Sequence, residues 1–309
     1  MKILFLCNAN LKSGLGHINR CRIIANSLYK SVDGLEIFFS GDIDTNLINL
    51  LSFEHINIIS SPRYGDFDCV ILDSYDQIHL NTVNKLDTKK IAIDDRELQN
   101  YEDWDLVLNF RIKPEYLRYK SKDVGVGASF FPFDNKYKIL RNQAQEKKEF
   151  KNLFFYFGET QKIKIDKVSE NLIQENSNKY NFFISSINDL SVSNFYKITK
   201  NNFFKLFSRA DVVVTGGGLT KYEAAFCKKI NLIFSLNKLQ KNDTEILSEF
   251  FLSNDMGYFK DFNNSLLESL EKLENIQSDE IELFYANSSK YFDTKSLDNV
   301  TKKITSIVT

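Results

Sequence analysis

Short apolar runs and longer amphipathic stretches alternate along this chain, and the alternation restarts once after a charged break; no other feature narrows the fold as far. Ile3 to Leu6, Leu35 to Phe39, Val70 to Leu72, Lys90 to Ile93 and Leu106 to Leu108 are rich in β-branched and aromatic residues and have the length of strands. Between them, Ile18 to Tyr29 carries apolar side chains at helical spacing, and Asn46 to Leu51 and Leu80 to Leu86 do so more weakly. Strands that are apolar along their whole length need cover on both faces. Helices between consecutive strands supply it, which predicts a parallel sheet.

Arg141 to Lys151, with the run Gln-Ala-Gln-Glu-Lys-Lys-Glu, holds almost no apolar side chains and reads as a linker. The pattern then resumes, with strands at Leu153 to Phe157, Asn181 to Ser185, Val212 to Thr215 and Leu232 to Ser235, and helices near Phe203 to Ser208, Leu219 to Cys227 and Thr244 to Leu252. No further strand is evident after Tyr258, and Leu266 to Leu273 and Val300 to Ile307 look helical. The expectation is an α/β protein of two doubly wound, Rossmann-like domains facing a central cleft. Their bounds are 1–142 and 150–290, and 291–309 is a helix packing back on the first domain. A length of 309 residues suits two cores better than one.

Composition removes several function classes. Forty basic residues against 41 acidic ones leave a net charge of -1, so no global field draws nucleic acid or an anionic membrane, and any anion is bound locally. The four cysteines, Cys7, Cys21, Cys69 and Cys227, lack the spacing of a zinc site or a disulfide framework and read as reduced core residues. The apolar start turns polar at Asn8, too soon for a signal segment or a membrane span. A monomeric cytoplasmic protein is expected.

In open parallel sheets ligands bind beyond the carboxyl ends of the strands, so the loops that follow strands are where chemistry is sought. After the first strand comes Ser13-Gly14-Leu15-Gly16-His17-Ile18-Asn19-Arg20. Glycines let backbone approach a ligand, and a helix start offers unpaired N–H groups and partial positive charge to a phosphate or oxyanion. A neutral His17 there is a competent base. The same turn is also what a plain start of a helix needs, and its spacing is not that of a dinucleotide fingerprint. In the second half, Gly216-Gly217-Gly218-Leu219-Thr220-Lys221-Tyr222-Glu223 follows a strand and opens a helix, which reads as an anion nest with Glu223 able to accept from a ribose diol. It is no Walker loop, since Gly-Lys-Ser/Thr is absent. Asp73-Ser74-Tyr75-Asp76 and Asp94-Asp95 also follow strands, where such residues commonly serve as caps or turns. His55 and His79 lack metal-ligand spacing and read as structural.

The series S-G-L-G-H-I-N-R-C, D-S-Y, D-D before D-L-V-L-N, Y-K-I-L-R and G-G-G-L-T-K-Y-E-A resembles, in order and spacing, the UDP-2,4-diacetamido-2,4,6-trideoxy-β-L-altropyranose hydrolases of pseudaminic acid biosynthesis and the spore-coat polysaccharide proteins related to them. The likeness runs from Met1 to about Gly257. It implies a GT-B fold, shared with the glycosyltransferase that builds lipid II, and a reaction in which water displaces UDP with inversion at the anomeric carbon, with no metal or cofactor. It further implies His17 as general base with Tyr75 and the Gln240 position near the sugar; beside these, Gly14, Gly16, Asn19, Arg20, Asp94 and Asp95 of the loops after strands are expected as substrate contacts. Gly158, Gly216, Gly217, Gly218, Leu219, Thr220 and Glu223 would hold the nucleotide diphosphate. The chain departs from the family at Phe157-Gly158-Glu159-Thr160-Gln161, which loses a glycine and an aspartate, and at Leu239-Gln240, where the family has Asn-Gln.

Three functions follow. The first is a UDP-sugar hydrolase. The second is a GT-B glycosyltransferase with the same donor site and a glycan acceptor in place of water. The third is an inactive subunit that binds nucleotide sugar.

Overall fold

The computed structural model describes residues 1–10, 14–44, 55–112, 119–159 and 161–309. Ser13, the stretch Asn46 to Leu51 and Thr160 lie outside them. The chain divides into two compact units, Met1–Asp134 with Phe292–Thr309, and Asn135–Tyr291.

The first unit is a seven-stranded sheet in the order β3-β2-β1-β4-β5-β6-β7, parallel throughout. Its strands are β1 (Lys2–Cys7), β2 (Glu36–Ser40), β3 (Ile56–Ile58), β4 (Cys69–Asp73), β5 (Lys89–Ile93), β6 (Leu106–Asn109) and β7 (Asp123–Val126). From Ile3 to Cys7 every residue of β1 is buried, as a strand covered on both faces requires. Helix α1 (Gly16–Ser31) turns Ile18, Cys21, Ala25 and Leu28 inward, three or four residues apart, and this stripe fixes its face. Helix α2 (Gln77–Asn84) follows β4, with Asp76 accepting the Ile78 amide at 2.8 Å as its cap.

The last helix of the chain also belongs to this unit. In α10 (Ser296–Val308) Val300 and Ile304 are fully buried, Thr301 meets Ser27 of α1 at 2.8 Å, and Lys303 pairs with Asp123 of β7 at 2.6 Å.

The second unit opens with α3 (Asn135–Gln143), on which Arg141 donates to the carbonyls of Phe226 and Ser288. Its six-stranded parallel sheet runs β10-β9-β8-β11-β12-β13. The strands are β8 (Asn152–Tyr156), β9 (Asn181–Ile184), β10 (Phe195–Lys197), β11 (Val212–Thr215), β12 (Ile230–Ser235) and β13 (Asn254–Tyr258). The helices are α4 (Lys167–Asn176), α5 (Phe203–Arg209), α6 (Thr220–Phe226), α7 (Lys238–Glu249), α8 (Phe262–Asn275) and α9 (Ser278–Tyr291). Neighbouring residues of one strand serve opposite faces: Phe155 packs edge-on against Phe262 of α8, while Phe154 packs against Phe203 and Phe207 of α5.

The pattern of alternation thus gives two parallel sheets, each with helices between its strands. The nine strands legible in the sequence are the nine interior ones.

Candidate active site

In the first unit β1 and β4 lie side by side with Cys7 opposite Asp73, so the loops leaving both strands start together at the carboxyl end of the sheet. The β1 loop closes with the Gly14 amide donating to the Asn10 carbonyl at 2.8 Å. Gly14 takes a φ of +70°, and a Cβ built there meets nothing within 4 Å. Its glycine therefore serves backbone conformation rather than crowding. Gly16 then opens α1, whose start has no side-chain cap and no acidic residue in its first turn.

His17 is the second residue of that helix and is 8% exposed; its Nδ1 lies 2.6 Å from Oδ1 of the fully buried Asp73. Arg20, one turn further on, grips the same carboxylate with a fork, Nε to Oδ2 and Nη2 to Oδ1, each at 2.6 Å. The Cys21 thiol donates to Asp73 Oδ2 at 3.3 Å. Burial works to raise the Asp73 carboxyl, but Arg20 and His17 outweigh it and hold the group below the usual carboxylate range. An ionised Asp73 has no proton to give. Nδ1 of His17 is therefore the donor, which makes Nε2 the nitrogen that carries the lone pair in the neutral ring.

The third nitrogen of Arg20 reaches Asp95, Nη1 to Oδ2 at 2.8 Å, and the other oxygen of Asp95 accepts the Tyr75 hydroxyl at 2.5 Å. Burial opposes ionisation of Asp95 as well, and again Arg20 more than offsets it. Burial followed by Asp95 pushes the Tyr75 hydroxyl above its ordinary value, so it stays protonated. The Tyr75 ring meets the His17 imidazole edge to face at 4.6 Å, and the Arg96 guanidinium lies 3.4 Å from the centre of the same ring. The Tyr75 ring thus walls one side of the His17 imidazole.

Several candidate contacts are committed inside the protein. Arg20 is 3% exposed with its guanidinium shared between two carboxylates. Asp94 is 1% exposed and accepts the amides of Arg96 at 2.9 Å and Leu98 at 3.0 Å, which staples the loop after β5. Both hold the site together rather than face a ligand. Asn19 accepts from Arg22 at 3.0 Å through its Oδ1. His79 meets the Ser74 hydroxyl at 3.0 Å, and His55 stacks on Tyr29. Among the described residues no three His, Cys, Asp or Glu side chains gather as a metal site would need.

In the second unit, Gly216 to Gly218 leave β11 for α6. None of the three has a left-handed φ, so they do not form the alternating backbone of a nest. Space is the reason for Gly217: a Cβ there would stand 2.2 Å from Cβ of Gln240 on α7. The Gln240 side chain reaches across and accepts the amides of Gly217 at 3.2 Å and Leu236 at 2.9 Å through the one oxygen Oε1. Only its Nε2 remains to face a ligand. A Cβ at Gly218 meets nothing within 4 Å, and the amides of Gly218, Leu219 and Thr220 find no acceptor among the described residues. These are the donors this loop can offer.

Lys221 and Tyr222 tie α6 to α7 through Asp243. The buried Lys221 Nζ is 2.5 Å from Oδ2 in ion-pair rather than aligned hydrogen-bond geometry, and the Tyr222 hydroxyl lies 2.9 Å from each carboxylate oxygen. Glu223 is 8% exposed on α6. Burial first, then Glu159 and Glu223, push the Tyr156 hydroxyl up, and Glu159 Oε2 lies 3.5 Å from that hydroxyl at the end of β8. Gly158, with φ of +122°, begins the loop there.

Sequence reasoning left Asp73 out of the site. It stood in the Asp73-Ser74-Tyr75-Asp76 run, which reads as a cap or turn, and the His17 contact spans 56 residues. Arg96, stacked on Tyr75, gave no signal at all.

No known family's sequence profile matches the chain. An uncharacterised protein of Methanocaldococcus jannaschii is 25% identical over 278 aligned residues, covering 78% of this chain and 57% of that protein, so the chain spans little more than half of its relative's length. Solved structures superpose more completely. MurG of Acinetobacter baumannii matches at a TM-score of 0.64 and 12% identity over 99% of both chains. Arabidopsis thaliana UGT89C1 complexed with UDP matches at 0.67 and 10% identity over 100% of both. S. aureus MnaA with UDP matches at 0.61 and 10% identity over 98% of this chain and 95% of its own. At such identities the likeness establishes architecture: the fold is GT-B.

Proposed function

We propose that the chain is a nucleotide-sugar hydrolase that releases UDP, with inversion, from a UDP-linked 2,4-diacetamido-2,4,6-trideoxyhexose in the making of a pseudaminic acid-like surface sugar. The observation that carries this reading is the buried 2.6 Å contact between His17 and Asp73. In the neutral imidazole it holds the proton on Nδ1 and turns Nε2 outward as the acceptor, and it backs the imidazolium with a carboxylate once a proton arrives. The UDP in the UGT89C1 and MnaA structures supports uridine diphosphate as the leaving group.

In this reading His17 Nε2 takes a proton from water as the water oxygen bonds to the anomeric carbon. The bond from that carbon to the diphosphate oxygen breaks on the opposite face, and UDP leaves with the electron pair. Backbone amides at Gly218, Leu219 and Thr220 receive the charge that develops on the diphosphate. Glu223 accepts from the ribose, and Nε2 of Gln240 donates to the sugar.

The test is to incubate purified protein with candidate UDP-sugars in the absence of any acceptor and follow UDP. Release at catalytic rates, lost in His17→Ala, is expected. UDP release that begins only when a glycan acceptor is added would replace hydrolysis by transfer, and turnover unchanged in His17→Ala would remove His17 as the base.

A further inference from the structure

The back of the glycine loop borders a cavity. A Cβ at Gly216 would come 3.1 Å from the Leu236 side chain and 3.7 Å from the Phe157 carbonyl oxygen, and both residues also line a cavity of about 300 Å³ beyond the ends of β8, β12 and β13. Its floor is apolar: Phe157 and Phe259 meet there at 4.6 Å between ring centres, with Leu236 beside them. Its rim is cationic, made by Lys162, Lys164 and Lys260.

Among the described residues one carboxylate stands on this rim against the three lysines. Asp261 caps α8, accepting the amide of Asn264 at 2.8 Å and its side-chain Nδ2 at 2.6 Å. Lys162 is shared with Glu159 at 3.3 Å, whereas Lys164 and Lys260 are exposed and have no ion-pair partner among the described residues. In a protein with a net charge of -1, three lysines around an aromatic floor are a local excess of positive charge at the strand ends where ligands of such sheets bind. The volume is that of a small-ligand pocket.

We propose that this cavity binds an oxyanion, a carboxylate or a phosphate, carried on a body with an apolar face, separately from the amides of Gly218 to Thr220. The oxyanion either is a substituent of the donor sugar or belongs to a second small molecule. The first source rests on the reading of the chain as a UDP-sugar enzyme, and the second does not.

The experiment is titration calorimetry of wild type and Lys164→Glu/Lys260→Glu, two exposed positions whose change leaves the core intact. The probes are pyrophosphate in the presence of saturating UDP, UDP-glucuronate, and UDP-glucose as the neutral-sugar control. A loss of affinity of roughly tenfold or more is expected, shrinking as salt rises. Loss for UDP-glucuronate but not for UDP-glucose assigns the cavity to a donor substituent. Loss for pyrophosphate alone assigns it to a separate anion. Affinities for both anionic probes within about twofold of wild type overturn the proposal. Should UDP itself fail to bind, the donor reading falls, while pyrophosphate measured without UDP still decides the cavity.

Discussion

Nδ1 of His17 and Oδ1 of Asp73 lie 2.6 Å apart in a buried contact, and the forked grip of Arg20 on the same carboxylate fixes which end of the imidazole faces outward. Asp73→Asn keeps the shape of the side chain but offers His17 an amide in place of a fixed negative charge. Turnover should fall about 10²- to 10⁴-fold, the range that a positioned general base supplies, with UDP affinity unchanged because the glycine loop lies in the other unit. Steady-state kinetics with calorimetry checks both halves; an Asp73→Asn protein that turns over like wild type would show that the dyad plays no part.

Arg20 is the cation between two buried carboxylates, and its removal leaves Asp73 and Asp95 without a counter-charge. Arg20→Met should therefore cost about 3–5 kcal/mol of stability. Arg20→Lys should recover only part of it, because a point charge cannot reproduce the fork. Urea unfolding of the three proteins orders them. Equal midpoints would mean that water reaches the carboxylates and screens them.

Asp73 and Asp95 both have folded-state values below the usual range, so their contribution to stability is complete above the unfolded value of about 3.9 and is lost as pH falls below it. Between pH 6 and 3 wild type should lose more stability than Arg20→Met, which lacks the cation that holds both groups low. Parallel curves for the two proteins would contradict this.

The sheet interiors were legible and the sheet edges were not. The four strands that escaped the sequence, β3 and β7 in the first unit and β10 and β13 in the second, are the four edges. An edge strand is paired on one side only and is partly wetted, so it needs no continuous apolar run. Asn254–Tyr258 is half exposed and contains Gly257 at φ of +87°, which hides it further. The site divides in a similar way. Glycines and His17 announce themselves locally, because a turn and the start of a helix constrain neighbouring residues. The burial of Arg20 and the link from His17 to Asp73 depend on two strands meeting, and no local pattern encodes that.

The Tyr75 ring lies edge to face against His17 while its hydroxyl is committed to Asp95. Tyr75→Phe keeps the ring and should reduce kcat by less than about tenfold, the size of one hydrogen bond. Tyr75→Ala removes the wall beside the imidazole and should lower kcat well beyond that. Equal kinetics for the two variants would assign the role to the hydroxyl instead.

Gly217 and Gly218 are adjacent, yet their glycines answer to different needs. A Cβ at Gly217 meets Cβ of Gln240 at 2.2 Å, close to the α7 backbone, where a rotamer change gives no relief. Gly217→Ala should therefore destabilise the fold by about 1–3 kcal/mol, the usual result of overpacking, and should release the Gln240 oxygen from its two amides. At Gly218 a Cβ meets nothing and φ is not left-handed, so Gly218→Ala should fold within about 0.5 kcal/mol of wild type. If a diphosphate approaches the backbone here, that same methyl group lies in its way, and UDP affinity should fall roughly tenfold or more at unchanged stability. Thermal unfolding and UDP titration of the two variants separate packing from binding. A Gly218→Ala protein that binds UDP as wild type does would place the diphosphate elsewhere.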